Sequence, residues 1–165
     1  MDVPQVNEPS FDRATAYHEA GHAVVALALH RPVHRVSVLP NQDMMGKCEF
    51  RKGVQRPSAD WLETEILIAL AGMVAEARVT GRHDRGAAGR DLRHVHKLAL
   101  QRATEKSLER YERRMLSKVE HLLADDGHWQ AVELIAGELM KLGVISGRAA
   151  RHLFDRGVRE AEESC

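Results

Sequence analysis

Residues 16–29, AYHEAGHAVVALAL, are the stretch on which the reading of this chain turns. Within it His18-Glu19-Ala20-Gly21-His22 is an instance of HExxH. In a helix, His18 and His22 lie one turn apart on one face, where two imidazoles can grip a single tetrahedral metal ion, zinc first among them. Glu19 stands about 100° round the helix from His18 and about 60° from His22, so its carboxylate falls beside the metal rather than on it. A carboxylate there can take a proton from an activated water and pass it to a leaving amine. The flanks argue against a chance match in a chain with ten histidines. Phe11, Ala14, Val25 and Leu29 share a face with the two histidines, and Ala16, Ala20, Ala23 and Leu27 line the other. A helix apolar nearly all round is a buried one. Two histidines and a glutamate inside it are costly without partners, and a metal removes that cost for the imidazoles.

Outward from this helix, 165 residues are enough for one domain with a real core. The formal net charge is zero and aromatics make up 4% of the chain, which gives neither the basic stripe nor the stacking platform of a nucleic-acid binder. The basic residues from Arg102 to Lys118 alternate with Glu105, Glu109 and Glu112, as on a solvated helix face. Two cysteines, Cys48 and Cys165, form no disulfide framework and suit a reducing compartment. No apolar signal segment opens the chain, and its longest uncharged runs fall far short of the roughly 20 residues that cross a bilayer. The expectation is a cytoplasmic protein with no membrane contact.

Residues 1–9 read as a loose arm, residues 10–155 as the folded domain and residues 156–165 as a polar, fraying tail. Ser10 or Asp12 is placed to cap the first helix, and Pro32 to stop it. Residues 33–39 (VHRVSVL) are rich in β-branched side chains and read as a strand; 46–50 (GKCEF) read as a short return strand. A second long helix is expected over residues 59–80, stopped at Gly81, with Gly72 allowing close approach of another backbone. Residues 81–90 (GRHDRGAAGR) read as a glycine-rich loop after which Asp91 opens a third helix. That helix is expected to run on or break near residues 104–107. Another follows over 129–142, closed by Gly143, and a last short one is capped by Ser146. The fold class is therefore mainly α, built on the HExxH helix, with a small two-stranded β-ribbon. The metal-site core is expected in residues 10–100 and further helices in 101–155.

A third ligand is needed, and four residues offer themselves: Glu76, mid-helix; His83 and Asp84, in a flexible loop that holds a ligand poorly; and Asp91, at a loop-to-helix junction where backbone N–H groups can orient its second oxygen. Taken together, four segments resemble a known family. AYHEAGHAVVALAL, HRVSVLP followed by Gly46, LAGMVAEARVTG and GAAGRDL follow one another as in the peptidase domain of the FtsH family of membrane-anchored, ATP-dependent zinc proteases. The resemblance covers residues 14–100 well and continues weakly through LIAGELMKLGVISGRAARHLF.

The resemblance implies a helical peptidase in which Zn2+ is held by His18, His22 and Asp91, with Glu19 as general base. It moves Glu76 to a supporting role and leaves His94 either supporting or an ordinary surface histidine. It also implies that residues 33–39 are the edge strand beside the active site, with Val36, Ser37, Val38 and Gly46 meeting the backbone of an extended peptide. The sequence departs from the family pattern in showing no ATPase module, no Walker motif and no transmembrane segment, and in a shortened stretch before the C-terminal helices. The expected function is an ATP-independent zinc metallopeptidase acting on unfolded segments or peptides. The alternative is a non-catalytic or partner-gated zinc-containing peptide-binding module. A homo-oligomer, or a separate adaptor or ATPase, is the expected partner.

Overall fold

A computed structural model describes residues 11–40, 47–50, 59–82 and 85–165. Its elements run α1 (Arg13–Ala28), β1 (Val33–Ser37), β2 (Lys47–Phe50), α2 (Ala59–Thr80), α3 (Arg85–Ala99), α4 (Glu105–Ala124), α5 (Asp126–Leu142), β3 (Val144–Ser146) and α6 (Gly147–Glu163). The mainly α expectation holds. The N-terminal arm, Ser10, Gly46, His83 and Asp84 lie outside the described residues.

Helix α1 starts where Asp12 caps it: the Asp12 carboxylate accepts hydrogen bonds from the Thr15 backbone N–H at 2.9 Å and the Thr15 hydroxyl at 2.6 Å. Every residue from Ala16 to Leu27 is buried, as an apolar circumference requires. The helix runs through the middle of the molecule, with α2 and α5 against it. Its approach to α2 depends on Gly21, where a Cβ would lie 2.5 Å from the Ala71 carbonyl oxygen. The backbone approach foreseen at Gly72 thus occurs one residue earlier on α2, opposite Gly21.

Three expectations are corrected. The ribbon has three strands, in the order β2-β1-β3, all antiparallel. Ser37 faces Lys47 on one side and Val144 on the other, so β1 is the central strand and not an edge. The third strand went unread because Val144–Ser146 is too short to show alternation. Second, α3 begins at Arg85, so the glycine-rich stretch is largely helical and Asp91 lies in the second turn rather than at the opening. Glycine lowers helix propensity but does not forbid a helix packed against its neighbours, as α3 is against α2. Third, the segment from Arg156 is part of the last helix. Helix α6 continues to Glu163, with Gly157 buried against Ala131 of α5 and Glu160 bonded to Arg156 at 2.7 Å. No helix among the described residues is long and apolar enough to cross a membrane.

Candidate metal centre

His18, Glu19 and His22 are 4%, 6% and 9% exposed, so α1 carries three polar side chains into the core. Each needs a partner there. The imidazoles find theirs at both ring nitrogens. His18 Nδ1 donates to Glu76 Oε2 at 3.0 Å, and His22 Nδ1 donates to the Ile68 carbonyl at 2.6 Å, both acceptors coming from α2. A carbonyl and a carboxylate only accept, so each ring carries a proton on Nδ1, and the two Nε2 atoms are turned to the same place. Asp91 from α3 meets them there: its Oδ2 is 2.9 Å from His18 Nε2 and 3.3 Å from His22 Nε2.

Two imidazole nitrogens and one carboxylate oxygen, all within 4.8 Å of one another, are a donor set for a metal ion. Three ligands at about 2.0 Å in a tetrahedral arrangement stand about 3.3 Å apart, close to the spacings to Asp91. The space for an ion is kept open by α2. A Cβ on Gly72 would fall 2.5 Å from His22 Nε2 and 2.6 Å from His18 Nε2. Without an ion, a proton holds the cluster together. Burial pushes the His18 imidazole down, but its hydrogen bonds to Asp91 and Glu76 and the charge of Glu19 carry it up to about 9. Burial likewise pushes the Asp91 carboxyl up, and the two imidazoles outweigh it, holding it well below the usual carboxylate range.

Glu19 is not a member of this cluster. Burial raises its carboxyl above the ordinary range, and the nearby His22 and His18 offset that only in part. Glu76 is 4% exposed and meets His18 Nδ1 from behind the cluster. His94 is exposed on the surface of α3. Val36 and Val38 are 0% and 5% exposed, so their side chains belong to the core. Ser37 is half-buried, and the β1 backbone around it is bonded on both sides. The sequence reading missed the Ile68 carbonyl and the part played by Gly72. A glycine inside an otherwise strong helix was the only signal for the second, and a backbone carbonyl leaves none.

The comparison with known proteins fits this geometry. Residues 6–110 match the model of peptidase family M41. The chain belongs to peptidase family M41. Among curated relatives, the "ATP-dependent zinc metalloprotease FtsH 4" of Sorangium cellulosum is 37% identical over 98 residues, covering 56% of this chain and 15% of that protein. The "ATP-dependent zinc metalloprotease FtsH" of Pelobacter propionicus is 38% identical over 96 residues, covering 53% of this chain and 14% of its own length. The chloroplastic "ATP-dependent zinc metalloprotease FTSH 1" of Oryza sativa subsp. japonica is 33% identical over 97 residues, covering 54% and 16%. The M41 match includes all of α1, α2 and α3, the three helices that supply the donor atoms and their supports.

Proposed function

We propose that this M41 domain is a zinc metallopeptidase that cleaves peptide bonds in unfolded segments or peptides. The observation that carries the reading is the convergence of His18 Nε2, His22 Nε2 and Asp91 Oδ2 on one place, with the buried Glu19 beside it on the same helix. His18, His22 and Asp91 would hold the zinc, which supplies a Lewis acid for the scissile carbonyl and lowers the pKa of water. Glu76 and the Ile68 carbonyl fix the tautomer and direction of the two imidazoles, so both Nε2 lone pairs point inward. Glu19 accepts a proton from the attacking water and returns it to the leaving nitrogen; its raised pKa makes it a better base than an exposed carboxylate. A peptide recognised through its backbone pairs with β2, which among the described residues is bonded only on its β1 side.

The test is hydrolysis of an unfolded protein by the zinc-loaded chain without nucleotide, beside Glu19→Gln. Cleavage by the wild type alone supports an ATP-independent peptidase. Equal cleavage by both removes Glu19 from the mechanism. No cleavage by either, with zinc bound, supports the partner-gated or peptide-binding alternative.

A further inference from the structure

We infer that a cavity at the far end of α1 binds a phosphate-type oxyanion carried on a small molecule. The cavity has a volume of about 260 Å³ and is lined by Leu27, His30, Arg31, Pro32, Val33, Gly147, Arg148 and Arg151. It lies beyond the C-terminal end of α1, about 12 Å along the helix from His22. Its volume is slightly below the range of drug-sized sites, which suits a small ligand.

Three local choices meet there, each unfavourable by itself. The first is the lining: three arginines and a histidine, with no aspartate or glutamate among them. Arg31 is paired with Glu65 and Arg151 with Asp155 at 3.4 Å, but both carboxylates stand outside the lining. The second is His30. Helix α1 ends in a Schellman turn, with Arg31 N–H bonded to the Ala26 carbonyl and His30 N–H to the Leu27 carbonyl. The left-handed position of that turn normally takes glycine, yet His30 occupies it at φ 62°, the sole non-glycine residue with positive φ among the described residues. The third is the start of α6. Its first turn holds no acid, and Arg148 stands there with Arg151 one turn on, against the helix dipole.

A bound oxyanion reverses the sign of all three. It is surrounded by guanidinium forks suited to phosphate, it gives His30 a reason to project an imidazole where glycine would be easier, and it screens the arginines from the α6 dipole. Local rules broken together at one place mark a functional site more often than a packing accident.

The test is a titration of the full 165-residue chain with inorganic phosphate at fixed ionic strength, followed by backbone amide resonances. The same titration with glycerol phosphate separates a free ion from a carried phosphoryl group. Saturable shifts at His30, Arg31, Gly147 and Arg148 are expected for both ligands, with glycerol phosphate at least equal to the free ion. The double variant Arg148→Gln/Arg151→Gln should bind at least about tenfold more weakly. His30→Gly should raise the melting temperature while weakening phosphate binding, since it relieves the left-handed residue and removes a donor. The absence of saturable shifts at these amides, or shifts confined to the His18–Asp91 cluster, would overturn the site. So would equal affinity in the double variant, or glycerol phosphate failing where free phosphate binds.

Discussion

Replacing Gly72 with alanine tests the metal centre with one methyl group. The added Cβ lies 2.5 Å from His22 Nε2, 2.6 Å from His18 Nε2 and 2.7 Å from His18 Cδ2. It therefore sits roughly 1 Å inside ordinary van der Waals contact with both donor atoms at once. Neither ring can simply retreat. His18 is held from behind by Glu76 at 3.0 Å and His22 by the Ile68 carbonyl at 2.6 Å. Metal–ligand distances tolerate only about 0.2 Å, so a displacement several times larger removes one ligand or both. Zinc affinity should fall by at least about 100-fold, equivalent to about 2.7 kcal/mol. Stability of the metal-free chain moves less, because alanine in place of a helix-interior glycine contributes about 1 kcal/mol that offsets part of the crowding. The assay is competition for zinc against a fluorescent chelator, alongside far-UV circular dichroism and thermal melting of the metal-free proteins. A folded Gly72→Ala protein that keeps wild-type zinc affinity would refute the placement of the ion between His18 and His22.

Glu19→Gln should lower peptide hydrolysis by about 10²–10⁴-fold with zinc still bound one per chain, checked by metal analysis of the assayed sample. Asp91→Ala should weaken zinc more than Glu76→Gln, the latter by about 10–100-fold because it only loosens His18; the reverse order would exchange their roles. Zinc loading near neutral pH should expel about one proton, because His18 in the metal-free chain is protonated up to about pH 9 and its Nε2 must lose that proton to bind. Calorimetry in two buffers of different ionisation enthalpy measures this, and heats independent of buffer would contradict it. The sign for stability follows from the same group: a folded pKa raised above the ordinary histidine value stabilises the metal-free chain at neutral pH, and that contribution is lost as pH rises through about 9. Melting of chelator-treated protein across that window should show the loss, and zinc-loaded protein should not.

The long helices were legible because their evidence is local. Ala59–Thr80 is bounded as read, since its apolar stripe and the stop at Gly81, φ 78°, both act within a few residues. Asp12 as the cap of α1, Gly143 as the end of α5 and Ser146 as the cap of α6 were legible for the same reason. The start of α3 was misread because its glycines carry a weak local preference that packing on α2 overrides. The third strand was not legible at all. Val144–Ser146 becomes a strand only because β1 offers an unpaired edge 107 residues earlier at Ser37, opposite Val144.

The sequence by itself determined the chemistry on offer at the site: which side chains could take a metal, and that His18, Glu19 and His22 lie within about one turn of the same helix. That information lies in residue type and in the 3.6-residue period, both properties of the chain. Only the tertiary structure decided how that chemistry is held. It brought Asp91 to the two Nε2 atoms, set Glu76 and the Ile68 carbonyl behind the rings, left Gly72 bare beneath them and put β1 in the centre of its sheet. The hydrogen bonds of the two histidines alone join residues 46 to 73 positions apart. They arise from packing α2 against α1 and α3 against α2, and no local preference encodes them.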